Sequence, residues 1–234
     1  MKAWDNVMLY IVPTPIGNLK DLSYRSVEVL KKVDLILAED TRNSGKLLKT
    51  YNIDTAMSSF HAHNEHARLE GVMKQLQQGT SIALITDAGM PGISDPGYLL
   101  IREAIRFNIE VDILPGPSAF ILGLLHSGFP CNKFQFIGFL PTKKGRQTAL
   151  KEASSYRYTT VLYESSHRIK KLITQLSDIM PQRWVSISRE LTKLHQTITT
   201  APVETIHETM EQGAFTTKGE FVVTIAPEDF KGFE

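Results

Sequence analysis

Apolar and polar positions follow two alternating rhythms along the first half of the chain. Apolar runs at residues 8–12, 34–38, 57–60, 81–86 and 111–114, bounded by Pro, Gly or polar residues, read as buried strands. Between them lie segments of helical period. Ser23 caps a helix to Lys32 that carries Val27, Val29 and Leu30, and residues 44–51 form a short helix. Asn64 caps a helix whose Leu69, Val72, Met73 and Leu76 fall at i, i+3, i+4 and i+7, with Gly79 as its stop. Residues 97–107 and 118–127 complete the set. Strand–helix alternation of this kind predicts a mostly parallel sheet with helices on both faces. Residues 127–132 then have linker composition. Beyond them come strands at 134–138, 159–163, 185–188, 197–200 and 221–225, a basic segment at 143–151, and helices at 166–179 and 203–211. Shorter connections here predict a mixed sheet. The chain therefore reads as α/β, with two α/β domains at residues 1–128 and 133–234 and no internal repeat.

Composition narrows the partners. Among 234 residues, Lys plus Arg is 26 and Asp plus Glu is 25, which excludes a polybasic chain but leaves room for a local RNA-binding patch. The single cysteine, Cys131, permits no disulfide within the chain and suits a reducing compartment. Residues 1–6 lack the apolar segment and cleavage site of a secretory signal. The longest uncharged apolar stretch, residues 120–125, is far too short to span a membrane. A cytoplasmic protein without a membrane partner is expected.

Candidate chemistry sits in the loops. In open α/β sheets ligands bind beyond the carboxyl ends of the strands. Three such loops are rich in Gly and Pro: residues 13–18, 87–97 and 115–118. Gly allows close backbone approach and Pro stiffens the chain, so together they form a rigid rim, although either residue also simply makes turns. No G-x-G-x-x-G follows the first strand, and Gly45-Lys46 has Asp40 where a phosphate-binding P-loop needs Gly.

Several segments resemble a known family. They are Pro13-Thr14-Pro15-Ile16-Gly17-Asn18-Leu19, Ala38-Glu39-Asp40-Thr41-Arg42, His63-Asn64-Glu65, Asp87-Ala88-Gly89 with Ile93-Ser94-Asp95-Pro96-Gly97, Pro115-Gly116-Pro117-Ser118-Ala119, Gly138-Phe139-Leu140-Pro141, Tyr163-Glu164-Ser165 with His167-Arg168, and Arg189-Glu190-Leu191-Thr192-Lys193. In order, and from about residue 8 to 226, they resemble the bacterial small-subunit ribosomal RNA methyltransferase I family, one of the tetrapyrrole-methylase-like, class III methyltransferases. The resemblance implies two α/β domains with a cofactor cleft between them, S-adenosyl-L-methionine as methyl donor, and a homodimer. It also implies 2′-O-ribose methylation of a cytidine in the decoding region of small-subunit rRNA. The sequence departs from the family pattern at Met90 and Gly92, where Thr and Leu are more usual, and at His195-Gln196, where an aromatic–Glu pair is. It also ends at Glu234, where many relatives continue into a helical extension.

On that resemblance Asp87, Met90, Ser118 and Ala119, with Pro13 and Gly89 in the same loops, are the donor-binding candidates, joined by Tyr163 and Glu164. Asp87 also reads as a turn-stabilising residue and Ser118 as a helix cap. A ribose hydroxyl is a poor acid, so a base or an oxyanion stabiliser is expected among Glu39, Asp40, Glu164 and Lys193; a salt bridge from Glu39-Asp40 to Arg42 is the structural alternative. RNA-contact candidates are Arg42, His63, Lys143, Lys144, Arg146 and Arg168, within basic stretches that include Lys151, His167, Lys170 and Lys171 and that equally suit solvated helix faces. His61, His63 and His66 invite a metal reading, but no Cys or further His completes a site, and no metal is expected. Two rivals stand beside the rRNA methyltransferase reading: a tetrapyrrole methyltransferase of the same fold, and a donor-binding module without chemistry.

Overall fold

Strands buried on both faces must be apolar at every position, and the three inner strands of the first sheet are such runs, while its edge strands carry Ser58, Ser59 and Asp112. In the computed structural model, which describes residues 8–233, β1 (Leu9–Ile11), β2 (Leu35–Ala38), β3 (Met57–Ser59), β4 (Ile82–Ile85) and β5 (Val111–Ile113) form one sheet in the order β3-β2-β4-β1-β5. Every neighbouring pair in it is parallel. The reading of residues 1–6 lies outside the described residues.

Alternation along β1 and β4 feeds two cores. Tyr10, Ala83 and Ile85 pack with Val29 and Leu30 of α1 (Tyr24–Lys32) and Leu48 of α2 (Thr41–Thr50). Leu9, Ile11, Ile82 and Leu84 pack with Val72, Met73 and Leu76 of α3 (Glu65–Gln77) and Leu100 and Ala104 of α4 (Tyr98–Arg106). Ser23 Oγ accepts the Ser26 N–H at 3.0 Å, the cap expected for α1, whereas Asp40, not read as a cap, accepts the Arg42 N–H at 2.9 Å and starts α2 earlier than the expected residue 44. Asn64 stands at the start of α3, but its Oδ1 accepts from the His61 N–H instead of a helical one.

The second sheet has the order β6-β7-β10-β8-β9, from β6 (Phe134–Phe139), β7 (Thr159–Ser165), β8 (Trp184–Arg189), β9 (Thr197–Pro202) and β10 (Glu220–Ile225). β6 and β7 run parallel and the other pairs antiparallel, the mixed sheet the shorter connections predict. Leu172, Ile173 and Leu176 of α7 (Ile169–Ile179), Leu150 of α6 (Arg146–Ser155), and Val203, Ile206 and Met210 of α8 (Val203–Glu211) fill one core with Leu162, Val185, Ile187 and Val223. Residues 166–168, read as the start of α7, lie outside the helix.

The chain divides into two units, Met1–Ser118 and Ala119–Glu234, so the division falls before α5 (Ala119–Ser127), not after it as expected. That helix packs on β7, β8 and β10 of the second sheet. Gly123 meets Val222 so closely that a Cβ there would overlap it. Among the described residues no helix is long and apolar enough to cross a membrane.

Candidate functional site

β1 and β4 are neighbours, yet the helices that follow them, α1 and α4, pack on opposite faces of the sheet. This is a topological switch point, where a crevice opens beyond the strand ends. The loops leaving β1 and β4 are joined there. Thr14 and Gly89 exchange backbone hydrogen bonds, each 3.0 Å, and the Thr14 hydroxyl donates to the Thr86 carbonyl at 2.9 Å. The third loop closes on the first: a Cβ on Gly116 would stand 2.7 Å from the Pro13 ring. The far end of the β4 loop is set by Gly97, whose φ of +127° and missing Cβ (2.6 Å from Leu84 Cδ2 if built) admit no other residue without a shift. Its N–H donates to the buried Glu65 carboxylate at 3.0 Å. The Gly/Pro loops are thus one fastened rim that includes Pro13, Gly89, Met90 and Pro117.

Carboxylates gather on this rim. Asp87 accepts from the Asp40 N–H at 3.2 Å and from the Asn43 amide at 3.0 Å, and its own N–H donates to Glu39 at 3.3 Å. Burial raises the Glu39 carboxyl above its ordinary range despite the hydrogen bond from Asp87. Half-buried Asp95 is pushed up to about 7 by burial, then by the negative charges of Glu39 and Asp87. Asp40 behaves oppositely: hydrogen bonds from the Arg42 side chain and N–H hold it well below the usual carboxylate range. The Thr86 hydroxyl, at the root of the same loop, is buried and has no hydrogen-bond partner. A surplus of negative charge at these strand ends suits a ligand bearing positive charge and hydroxyl or amine donors. Among the described residues no group of three or more His, Cys, Asp or Glu is placed to hold a metal ion.

The second unit carries its charges differently. Glu164 is fully buried and accepts from Arg146 at 3.0 Å and the Ser165 N–H at 2.9 Å, and it pairs with Arg168, whose Nε lies 2.8 Å away and donates to Ser165 Oγ. Arg146 also donates to Gln175 at 2.9 Å. The Lys193 ammonium lies 3.0 Å from Glu190 and 2.7 Å from Glu220. Burial lowers the Lys193 pKa, but its hydrogen bonds to Glu220 and Glu190 outweigh burial and raise it overall. Glu190 and Thr192 adopt left-handed backbone (φ 53° and 66°), strained positions held by these bonds and by the Glu220 N–H donating to Glu190 at 2.9 Å.

Each predicted residue can now be placed. Pro13, Asp87, Gly89, Met90 and Ser118 lie in the three joined loops of the first unit; Ala119 opens α5 in the second. Glu39 and Asp40 follow β2, with Arg42 exposed beside Asp40, the structural alternative for that pair. His63 is exposed in the turn before α3. Two expectations are corrected. Arg146 is not a surface cation but is 3% exposed and bound to Glu164 and Gln175, beyond reach of RNA. Glu164 is not free for a donor, because both its oxygens are taken by arginines. Tyr163 accepts the Phe120 N–H at 3.2 Å through its hydroxyl and packs its ring on Phe136 and Phe139. Arg168, half-buried, pairs with Glu164, while Lys143 and Lys144 are exposed. Sequence reasoning missed Asp95, Asn43 and Thr86. Asp95 stood inside a quoted motif, and only its folded neighbours single it out.

The family model for tetrapyrrole (corrin/porphyrin) methylases matches residues 8–207. A protein of Escherichia coli O157:H7 called ribosomal RNA small subunit methyltransferase I is 45% identical over 222 residues, which cover 93% of this chain and 77% of the relative. Its namesake in Synechocystis sp. is 44% identical over 97% of this chain and 82% of that protein. Among solved structures, the methyltransferase CobJ superposes with a TM-score of 0.70 at 15% identity, covering 97% of both chains, a likeness of fold.

Proposed function

The chain belongs to the ribosomal RNA small subunit methyltransferase I family, and on that premise we propose that it transfers a methyl group from S-adenosyl-L-methionine to a ribose 2′-hydroxyl of a decoding-region cytidine in small-subunit rRNA. The observation that carries this reading is the group Glu39, Asp87 and Asp95 on the joined rim at the β1/β4 switch point. The donor is a cation with hydroxyl and amine groups, and it fits a rim of carboxylates, backbone groups and an unpartnered Thr86 hydroxyl. Asp87 and the backbone at Met90 would hold it, with Gly89, whose backbone is tied to Thr14, and Pro13 and Ser118 shaping the rim. When bound, the donor supplies an electrophilic methyl group on a sulfonium.

The remaining work falls to the chain. In-line transfer requires the acceptor oxygen to be held in line and water to be excluded, which a stiff Gly/Pro rim favours. Of the two carboxylates after β2, Asp40 is fixed by Arg42, so Glu39, with its raised pKa, is the candidate to take the ribose proton. Lys193 stays charged between Glu190 and Glu220 and offers a fixed cation to a developing oxyanion or a phosphate. Exposed Lys143 and Lys144 supply phosphate contacts. We place this work in the cytoplasm. Exposed Leu125 on the apolar α5 supports a homodimer.

The test supplies unmethylated small subunits and labelled donor, then maps the label. Label on a cytidine 2′-oxygen of the decoding region is expected. Label on a base, or on a tetrapyrrole offered in parallel and not on RNA, overturns the reading in favour of another acceptor. Donor binding without any transfer points instead to a binding module.

A further inference from the structure

Buried Leu140 and five exposed residues, Pro141-Thr142-Lys143-Lys144-Gly145, connect β6 to α6. Both ends of this loop are tied to one carboxylate. At the near end, Arg168 Nη1 donates to the Leu140 carbonyl at 3.0 Å while its Nε lies 2.8 Å from Glu164 Oε1. At the far end, Arg146 opens α6, its N–H donates to the Lys143 carbonyl at 3.4 Å, and its Nη2 donates to Glu164 Oε2 at 3.0 Å. Glu164 is fully buried, Arg146 nearly so, and Arg146 Nη1 has no partner. A buried guanidinium with a donor unsatisfied depends heavily on its one carboxylate. Gly145 in the left-handed region (φ 86°) sharpens the turn into α6. Two arginines that sequence places among surface cations are therefore struts, and the lysines between them are what the struts hold out.

We propose that Glu164 is a positioning residue for RNA binding: through Arg146 and Arg168 it sets the conformation in which Lys143 and Lys144 meet rRNA phosphates. This rests on the rRNA reading of the site and adds the device that presents its basic loop. A preset loop loses less conformational freedom when it binds, so releasing it weakens binding without removing a contact.

The experiment compares wild type, Arg168→Gln, Glu164→Gln, the pair Lys143→Ala/Lys144→Ala, and that pair combined with Arg168→Gln. Arg168→Gln leaves the Arg146–Glu164 bond in place, so it serves where Glu164→Gln fails to fold. Hydrogen exchange at the Arg146 and Ala149 N–H groups, which bond back to the Lys143 and Gly145 carbonyls, should quicken at least about tenfold in Arg168→Gln, with the rest of α7 unchanged. Binding to small subunits across a salt series should weaken roughly tenfold for the lysine pair, with the slope of log K on log salt shallower by about 1.4–1.8. Arg168→Gln should weaken binding comparably, raise KM for the subunit far more than it lowers kcat, and leave donor affinity as in wild type. Adding Arg168→Gln to the lysine pair should cost little more. Fully additive losses make Arg168 a direct RNA contact and overturn the proposal, as does unchanged exchange at the Arg146 and Ala149 amides. If wild type itself neither binds nor methylates small subunits, the rRNA reading fails and the proposal with it. If wild type does both and the cycle is additive, only the proposal fails.

Discussion

The strand-end loops of the first unit and the loops of the second treat charge in opposite ways. At the strand ends of the first, the charge of Asp87 raises the pKa of Glu39, the charges of Glu39 and Asp87 raise that of Asp95, and Arg42 is bound to Asp40. In the second, Glu164 has two arginines and Lys193 has two glutamates. A satisfied buried charge is part of the framework: its energy is committed to holding loops and helices. Like charges kept together are a standing cost, which a fold tolerates where a ligand relieves it. The contrast assigns ligand chemistry to the first group and positioning to the second, although sequence motifs mark both alike.

The largest expected effect tests the framework side. Glu164→Gln leaves Arg146 buried with no counter-charge and should destabilise the chain by about 3–5 kcal/mol. Replacing Glu164 with Leu and Arg146 with Met together should recover most of that loss, because the desolvation of both charges is removed with their attraction. Urea unfolding measures both. A Glu164→Gln variant as stable as wild type would make Glu164 a ligand group after all and dissolve the comparison.

An intermediate effect tests the ligand side. Asp87→Asn keeps the shape of the side chain but removes its charge, and Asp87 is exposed. Stability should change by less than about 1 kcal/mol. Donor affinity by calorimetry should fall about 10- to 100-fold, the worth of a hydrogen bond to a charged group at about 1.5–3 kcal/mol. Undiminished affinity would move the donor away from this rim.

Much of this was legible before folding, and what was not has a common cause. Periodicity located the elements because burial imposes it residue by residue: Leu69, Val72, Met73 and Leu76 all face the core or its edge. The strand-end loops were legible because Gly and Pro act locally. Charge pairing was not, because Arg146 meets Glu164 and Gln175 only after β7 and α7 pack beside α6. Four basic residues in a row of nine look the same in sequence whether they are solvated or buried. The domain division was missed for a similar reason. Residues 118–127 continue the strand–helix rhythm of the first unit, and only folded contacts, such as the close meeting of Gly123 with Val222, show which sheet the helix serves.

The smallest effect is the most discriminating, because it has a sign in pH. Asp95 is held at about 7 in the folded chain against an ordinary value of 3.8, by burial and by Glu39 and Asp87, with Asp40 and His61 acting on Glu39 from beside it. The folded state therefore binds this proton more tightly than the unfolded state does. The resulting stability is complete below about pH 4 and is lost as pH rises toward 7. Asp95→Asn should consequently match wild type at pH 4 and exceed it above pH 7. The gain should be about 1–2 kcal/mol, since solvent screens a half-exposed carboxyl. Donor binding should respond in the opposite direction. A cation is drawn to the ionised cluster, so wild-type affinity should rise through pH 7 and binding there should release protons, countable by calorimetry in buffers of different ionisation enthalpy. In Asp95→Asn both the rise and the release should be largely abolished while the protein melts higher. A variant that is more stable at neutral pH yet binds donor less well is what a cluster strained for a ligand requires; a variant that is less stable at neutral pH than wild type would show that Asp95 is framework too.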